Sequence, residues 1–209
     1  MDTVAVIDFE TTGLSPAMGD RATEVAVVIV DNGIIVDRYQ SLMHSGAYIP
    51  PFIERLTGIS NAMLSKAPPA EEVMQALAEF VGDVPLVAHN ASFDSKFLDA
   101  EWSRISRYRQ QAFACSMLLA RRIYPAARDH KLGTLVQHLG LPSAARAHRA
   151  LADAEMTAHL WVKMVSDIKL EYCLNAVPHE LLCTVQKTSK AHIRRCMDQA
   201  RHRLESVRD

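Results

Sequence analysis

The sequence predicts an α/β fold in which helices flank a central mixed β-sheet. Residues 3–7 form a short apolar run rich in Val and Ile, which is typical of a strand buried on both faces. Two longer β-branched runs follow, joined by Asn32-Gly33, the strongest short hairpin signal. Segments with helical periodicity then alternate with further short apolar runs. At 209 residues the chain is expected to form one domain with a small appendage.

The first part of the chain supplies a strand, a hairpin and helices, in that order. "TEVAVVIVD" and "IIVDRYQSL" are predicted to be the two antiparallel strands of the hairpin. Pro50-Pro51 begins a short helix that Gly58 ends, and residues 70–81 form a helix followed by Gly82. The first strand and the hairpin together suggest the start of a mixed sheet.

The middle of the chain delivers polar residues to the end of a strand. "VPLVAHN" is predicted to be a buried strand, and "ASFDSKFLDAEW" the helix after it. Asn90 or Ser92 is expected to cap this helix, with Asp94 in its first turn. The pattern therefore places His89, Asn90 and Asp94 at the carboxyl end of the strand.

The second half is predicted to be mainly helical. "QAFACS" is a candidate short strand, and helices are expected at 116–123, 131–139, 150–168 and 190–208. From Thr184 onward there are seven Lys/Arg and three Asp/Glu, whereas the residues before it are acidic overall. We expect residues 1–170 to form the main domain and 171–209 to form a basic, helical C-terminal extension that packs on it or follows it.

Composition narrows the functional classes. The four cysteines lie far apart without a CxxC pair, which argues against a zinc site and against a disulfide framework. No apolar stretch reaches the ~20 residues of a membrane span, and the start lacks a signal-type segment. We therefore expect a cytoplasmic protein with no membrane partner. The net charge of −1 gives no general nucleic-acid signal.

Acidic residues mark three of the predicted element ends. Asp8 and Glu10 follow the first apolar run and share one face of an extended chain, where two carboxylates repel unless a cation lies between them. Asp94 and Asp153 lie in the first turns of later helices. His148 and Asp153 are five positions apart, about 140° around an ideal helix, so His148 is expected in the preceding loop or first turn. Oxygen ligands favour Mg²⁺ or Mn²⁺ over zinc.

Three motifs carry a resemblance to a known family. "DFETTG", "HNASFD" and "HRALADA" resemble the exonuclease motifs of the DnaQ-like superfamily, in its DEDDh group with four carboxylates and a histidine. The match spans residues 4–160, and "LVAHNASFD" and "FIERLTGIS" resemble in particular the proofreading exonuclease, the epsilon subunit, of bacterial DNA polymerase III. The resemblance implies an RNase H-like fold and 3′-5′ exonuclease activity that releases nucleoside 5′-monophosphates.

The resemblance also implies roles for individual residues. It makes Asp8, Glu10, Asp94 and Asp153 both catalytic residues and the ligands of two divalent ions, Mg²⁺ or Mn²⁺. It makes His148 the general base, so that the rate should rise as this imidazole loses its proton.

The predicted substrate-binding residues lie in the same motifs. They are Phe9, Thr11, Thr12, Leu14, His89, Asn90 and Phe93. Leu14 is expected to wedge against the last base of the strand. The family often has a histidine directly before the glycine of "GIS", whereas this chain has Thr57 there, so no role is assigned to that position.

Several alternatives stay open at the level of sequence. The leading hypothesis is an enzyme acting on a single-stranded or frayed 3′ end of DNA, either alone or in association with a polymerase. The alternatives are an exoribonuclease that trims RNA and a non-catalytic nucleic-acid-binding module of the same fold. The basic helix at 190–208 is either a solvated face packed on the domain or a surface that follows the phosphates of the strand.

Overall fold

The computed structural model describes residues 2–143 and 148–206 and contains a five-stranded mixed sheet. The strands are β1 (Val4–Thr11), β2 (Ala22–Asp31), β3 (Ile34–Leu42), β4 (Leu86–Ala88) and β5 (Phe113–Cys115). Their order across the sheet is β3-β2-β1-β4-β5. β1, β2 and β3 are antiparallel neighbours, whereas β4 and β5 run parallel to β1. The predicted mixed sheet is confirmed.

Helices flank this sheet, as the sequence predicted. They are α1 (Pro51–Thr57), α2 (Asn61–Leu64), α3 (Ala70–Val81), α4 (Ser92–Arg104), α5 (Ser116–Ile123), α6 (Leu132–His138), α7 (Ala150–Glu171), α8 (His179–Val185) and α9 (Ile193–Ser206). Two single 3₁₀ turns occupy Pro16–Met18 and Lys190–His192. Within the described residues, no helix has both the length and the apolar composition that are needed to cross a bilayer.

The first strand is longer than predicted and contains the two carboxylates instead of ending before them. β2 pairs with β1 from Val4 as far as Thr11, so Asp8 and Glu10 are strand residues. β4 is short and pairs only with Ala5 and Val6. The last half of β1 therefore has one edge free of strand pairing, and side chains from other elements can approach it.

The hairpin between β2 and β3 is confirmed at Asn32 and Gly33. Both have positive φ, +48° and +84°. Two consecutive positive φ angles define a type I′ turn, whose twist matches that of the flanking strands. The Asn-Gly pair therefore sets the register next to the turn, and the β2–β3 ladder shifts its register between Ile29 and Val30.

The sheet separates two apolar layers. On one face, α7 packs Trp161 and Met164 against the sheet, together with residues of α5, α8 and α9. On the other face, α3 and α4 contribute a second cluster that includes Phe97 and Trp102. Because β1 lies at the centre and is covered on both sides, its position is fixed by packing from both layers.

The start of α4 corrects one prediction. Ala91, in a right-handed helical conformation, occupies the position before the helix, and neither Asn90 nor Ser92 forms a side-chain cap. Asn90 instead has φ +67°, and its carbonyl accepts the Phe93 N–H at 2.9 Å. A backbone turn at Asn90, which tolerates this left-handed conformation, replaces the expected side-chain cap.

The C-terminal elements lie against the edge of the sheet. α8 was not predicted, and α9 begins after a 3₁₀ turn, inside the predicted helix at 190–208. The Gln186 side chain accepts the Cys115 N–H at 2.5 Å and donates to the Phe113 carbonyl at 3.3 Å. Residues 207 and 208 of the predicted helix lie outside the described residues. The division at residue 170, in the last turn of α7, stays a prediction.

Candidate active site

Asp8 and Glu10 project from the same face of β1 near its end. Both are half-buried, while Phe9 between them points into the core and is 4% exposed. This alternation follows from the two-residue period of a strand. Glu10 pairs across the ladder with Glu24 of β2, a carboxylate that is completely buried. Three acidic side chains thus lie on two adjacent strands.

Asp94 reaches the unpaired edge of β1 from the first turn of α4. Its side chain is 2% exposed, and Oδ1 accepts the Phe9 N–H at 3.2 Å. This N–H lies beyond the pairing of β1 with β4, so the carboxylate replaces a strand partner there. The same hydrogen bond holds Asp94 beside Asp8.

His148 and Asp153 approach the same end of β1 from α7. The helix begins at Ala150, so His148 lies just before it, as predicted, and Asp153 lies in its first turn. The His148 N–H donates to Asp153 Oδ2 at 3.1 Å. One ligand atom from each of Glu10, His148 and Asp153 lies within 4.8 Å of the other two.

Burial raises the pKa of all four carboxylates in this cluster, and repulsion by neighbouring carboxylates adds to it at Asp8 and Glu10. Burial raises the pKa of Asp8 well above its ordinary range, and the charges of Asp94, Asp153 and Glu10 raise it further. Burial, Asp153 and Glu24 raise the pKa of Glu10 to about 8.

For the two carboxylates carried by helices, burial is the cause that raises the pKa. Burial raises the pKa of Asp94 to about 7, against the opposing effect of the Phe9 N–H. Burial also raises the pKa of Asp153, although the His148 N–H opposes it. The ionised cluster is therefore unfavourable without added positive charge.

This donor set fits a hard divalent ion. Carboxylate oxygens predominate, the pKa values show that the negative charge is undercompensated, and Glu10, His148 and Asp153 place donor atoms close enough to share an ion. Such a set favours Mg²⁺ or Mn²⁺ over zinc. Asp8, Glu10, Asp94 and Asp153 all reach one end of β1, as the sequence analysis expected.

Two ion pairs, each with a buried carboxylate, involve residues of the same strands and helices as the site, and neither was predicted from the sequence. Glu24 binds Arg149, with Oε1 2.7 Å from Nη2. Glu101 of α4 binds Arg21, with Oε1 2.8 Å from Nε. Each carboxylate also accepts a backbone N–H. The sequence did contain one indication of these pairs. Each glutamate lies within an apolar strand or helix face, and a buried carboxylate requires a partner.

The predicted substrate-binding residues of the β1–β2 loop differ in exposure. Thr11 and Thr12 are buried, and their hydroxyls bind within the loop: Thr11 Oγ1 donates to the Gly13 carbonyl at 2.6 Å, and Thr12 Oγ1 accepts the Arg21 N–H at 3.0 Å. Leu14 is 77% exposed. The threonines therefore build the loop that presents Leu14, while Phe9 contributes its ring to the core.

The predicted substrate-binding residues after β4 also differ, because His89 is hydrogen-bonded inside the protein whereas Asn90 is exposed. The ring nitrogens of His89 lie 2.9 Å from Ser116 Oγ and 2.9 Å from the His130 carbonyl. Burial lowers the pKa of His89 to about 4, so its ring is neutral. Asn90 is exposed, and Phe93 is half-buried with its ring centroid 5.0 Å from that of Phe97. His89 thus has a structural network of its own.

An open cleft of about 880 Å³ adjoins the carboxylates. Asp8, His89, His148 and Asp153 line it, and α6 forms the opposite wall. The sequence analysis did not identify Lys131, an exposed cation that lines this cleft at the start of α6. A positive side chain facing an acidic site suits a negatively charged ligand such as a phosphodiester.

Comparison with known proteins gives the family. A family model described as Exonuclease (RNase_T) matches residues 5–161. The chain is 34% identical over 174 residues to the DNA polymerase III subunit epsilon of Aquifex aeolicus, covering 81% of this chain and 84% of that protein. It is 38% identical over 168 residues to the PolC-type DNA polymerase III of Bacillus cereus, covering 80% of this chain but only 12% of the relative.

Solved structures agree with these relatives. Exonuclease X in complex with 5′ overhanging duplex DNA is 30% identical, with a TM-score of 0.65 over 78% of this chain and 92% of that one. The nuclease domain of 3′hExo, a DEDDh family member bound to rAMP, shares the fold with a TM-score of 0.67 at 22% identity, over 79% of this chain and 92% of that one. The RNase H-like fold and the family resemblance are confirmed. The chain belongs to the DnaQ-like exonuclease family, and its enzyme class is that of a 3′-5′ exonuclease.

Proposed function

We propose that this exonuclease removes nucleoside 5′-monophosphates from the 3′ end of DNA by metal-dependent hydrolysis. The observation that carries the proposal is the convergence of Glu10, His148 and Asp153, whose ligand atoms lie within 4.8 Å of one another beside an open cleft. An acidic cluster of this kind is poorly suited to a polyanion unless divalent ions bind first. Metal dependence is therefore part of the proposal.

Two divalent ions, Mg²⁺ or Mn²⁺, are proposed to bind to the four carboxylates. Asp8, Glu10 and Asp153 are the proposed ligands of one ion, and Asp8 and Asp94 those of the other. Bound there, the ions would supply Lewis-acid stabilisation of the phosphodiester and lower the pKa of water. Raised carboxyl pKa values support the assignment because they show where positive charge is lacking.

His148 is proposed to accept the proton of the attacking water. In the hydrolysis, the water oxygen bonds to phosphorus, the bond from phosphorus to the 3′ oxygen breaks, and the shortened strand keeps that oxygen. His148 suits the role because its exposed side chain lines the cleft next to Glu10 and Asp153. Neutral imidazole is the form that accepts the proton.

The choice of DNA follows from the more similar relatives. The relatives at 30% identity or more include polymerase III proteins and an exonuclease bound to DNA. We propose a single-stranded or frayed 3′ end as substrate, with Leu14 against the last base and Lys131 near the phosphates. Association with a polymerase in the cytoplasm is proposed on the same basis, and stand-alone action is the alternative.

The test compares two aspartates on the same helix. Asp94→Asn should slow hydrolysis by about 100-fold or more, the order of effect expected when a charge-stabilising group of a hydrolytic site is lost. Asp99→Asn, which removes a surface partner of Arg109, should leave the rate within about twofold. The measurement is a time course on 5′-labelled single-stranded DNA, RNA of the same sequence, and duplex DNA with a mismatched 3′ end, in Mg²⁺, Mn²⁺ or EDTA.

Each outcome has a separate meaning. DNA shortened from its 3′ end in Mg²⁺ or Mn²⁺, but not in EDTA, supports the proposal. Equal rates for the wild type and Asp94→Asn would contradict the catalytic assignment. Shortening of the RNA alone would show that the DNA assignment is wrong.

A further inference from the structure

Glu24 is a fifth carboxylate beside the site, and three of the four hydrogen bonds that its side chain accepts come from Arg149 and Ala150 at the start of α7. Its side chain is completely buried in β2. Oε1 accepts from Arg149 Nη2 at 2.7 Å and from Gln40 Nε2 at 2.8 Å, while Oε2 accepts from Arg149 Nε at 3.1 Å and from the Ala150 N–H at 3.0 Å. Two donors of Arg149 and one of Ala150 thus bind one carboxylate.

This carboxylate replaces the missing cap of α7. Arg149 occupies the N-cap position of α7, and its side chain accepts no hydrogen bond from the N–H groups of the first turn. The Ala150 N–H is one of the donors that a helix start leaves unpaired, and Glu24 accepts it from the neighbouring strand. A negative charge at a helix N-terminus is also favourable toward the helix dipole.

The anchored segment is the one that carries His148 and Asp153. His148 precedes Arg149 and has φ +60°, a left-handed conformation that non-glycine residues seldom adopt. Such a conformation persists only when its surroundings fix it. Here Asp153 binds the His148 N–H on one side and Glu24 binds the next two residues on the other.

The charge of the pair also bears on the metal ligands. Burial raises the pKa of Glu24, but the hydrogen bonds from Arg149, Ala150 and Gln40 outweigh it, so the net shift is downward and Glu24 is ionised. Arg149 lowers the pKa of the neighbouring Glu10, against the larger effects that raise it. The pair thus keeps Glu24 from competing for the divalent ions and places one positive charge beside Glu10.

We propose that Glu24 and Arg149 are positioning residues, which fix the His148–Asp153 segment against β1 so that Asp153 and Glu10 can share an ion and His148 can face it. This inference rests on the proposed function of the site. Neither residue is assigned a contact with substrate.

The chain offers a matched control for this proposal. Arg38 of β3 and Glu155 of α7 also join the sheet to the same helix, with Nε 2.5 Å from Oε1. That pair is solvent-exposed, and Glu155 follows Asp153 along α7, whereas Arg149 precedes it. Glu24→Gln and Glu155→Gln each remove one negative charge and one sheet-to-α7 ion pair, but only the first affects the segment before the helix.

The experiment measures positioning separately from turnover. Mn²⁺ binding is followed by calorimetry without nucleic acid, hydrogen exchange is followed at the His148 and Ala150 amides, and kcat and KM are measured at a temperature where each variant is folded. Glu24→Gln should weaken Mn²⁺ binding and lower kcat by about 10- to 100-fold, the usual effect of losing a group that orients a metal ligand. KM should change by less than about threefold, and Glu155→Gln should change every value by less than about twofold.

A second variant, Arg149→Ala, tests the other member of the pair. It keeps the proposal testable if Glu24→Gln folds poorly. The Arg149 side chain is 30% exposed, so a small solute can reach its place. Millimolar guanidinium should raise the kcat of the Arg149→Ala variant about tenfold, whereas NaCl at equal ionic strength should not. Absence of this rescue would overturn the role of Arg149.

The outcomes separate this inference from the proposed function. Glu24→Gln with lower thermal stability but unchanged Mn²⁺ affinity, exchange and kcat would overturn the positioning role while leaving the exonuclease proposal intact. Wild-type protein that cleaves no DNA, together with weaker Mn²⁺ binding and faster exchange in Glu24→Gln, would support positioning and contradict the proposed substrate.

Discussion

Asp8 and Glu10 show how a single pair of residues defines the chemistry of this site. Both lie on a strand whose position is fixed by packing on two sides, so neither can move away from the carboxylates that surround it. The raised pKa values of Asp8, Glu10 and Asp94 mean that protons occupy the cluster near neutral pH when no metal is bound. Metal binding must therefore release protons, and metal affinity should rise with pH.

Glu10→Gln should stabilise the metal-free protein at high pH and abolish exonuclease activity. In the folded chain Glu10 stays protonated up to a pKa of about 8, whereas in the unfolded chain it ionises near its ordinary value of 4.5. Its contribution to the free energy of unfolding is therefore present at low pH and lost as pH rises toward and through 8. We expect the variant to unfold about 4 to 8 °C higher at about pH 9 in EDTA, corresponding to ~2 kcal/mol, and to match wild type at about pH 5.

Thermal unfolding followed by circular dichroism at both pH values measures this difference. Glu72→Gln, on the exposed face of α3, is the control and should change the unfolding temperature equally at both. A Glu10→Gln effect that is the same at low and high pH would show that repulsion within the cluster is not its cause. Added Mg²⁺ should remove the advantage of the variant, because the ion compensates wild-type Glu10.

At the scale of elements, the β1–β2 loop next to the carboxylates is held in one conformation by hydrogen bonds within the loop. Asp20 Oδ2 accepts the Ser15 N–H at 2.9 Å, and Thr12 forms two hydrogen bonds with Arg21. The loop passes so close to Asp20 that a Cβ on Gly13 would lie 2.4 Å from its Oδ1. A side chain at position 13 would therefore have to displace the Asp20 carboxylate from the Ser15 N–H.

Gly13→Ala should displace this loop and with it Leu14. We expect KM for single-stranded DNA to rise several-fold with a smaller change in kcat, and the free energy of unfolding to fall by about 1 to 3 kcal/mol because of the steric overlap. Steady-state kinetics and thermal unfolding measure the two effects. Gly133→Ala in α6, where a Cβ meets nothing within 4 Å, is the stability control and should be neutral or stabilising. Unchanged KM in Gly13→Ala would exclude a role of this loop in substrate binding.

On the scale of the whole molecule, the C-terminal helices contact the β5 edge of the sheet and add to its apolar layer. α8 and α9 contribute Leu182, Val185 and Met197 to the core on the α7 face. The Gln186 amide binds both the N–H and the carbonyl groups that β5 presents at its open edge. The extension is thus a structural part of the fold, whatever additional role its basic residues have toward a nucleic-acid strand.

Gln186→Ala should lower stability without changing the site. It leaves the buried Cys115 N–H without its acceptor, which costs about 1 to 3 kcal/mol. We expect the unfolding temperature to fall by several °C, while kcat and KM below that temperature stay within about twofold, because β5 lies two positions across the sheet from β1, the strand that carries Asp8 and Glu10. Gln75→Ala, which removes a surface bond to Glu79, is the control. A large loss of kcat in folded Gln186→Ala would connect the extension to catalysis instead.

Much of the fold could be predicted from the sequence because its signals are local. Asn32-Gly33 determines a turn through its own backbone preferences, and the β-branched runs and helical periods depend on neighbours a few residues away. The starts of α4 and of the unpredicted α8 were harder, since a turn at Asn90 competes with a side-chain cap and α8 is only a short helix at His179–Val185. Short elements carry too few periodic positions to be recognised.

By itself, the sequence determined the mixed sheet and the acidic residues at the ends of its elements, because these depend on residue type and short spacing. The roles of the four carboxylates and His148 toward divalent ions stay predictions. Only the tertiary structure decided what holds that set in place. Glu24 meets Arg149 across 125 positions, and Gln186 meets Cys115 across 71. Buried polar groups must find partners wherever the fold brings them, and no local pattern records which distant residue that partner is.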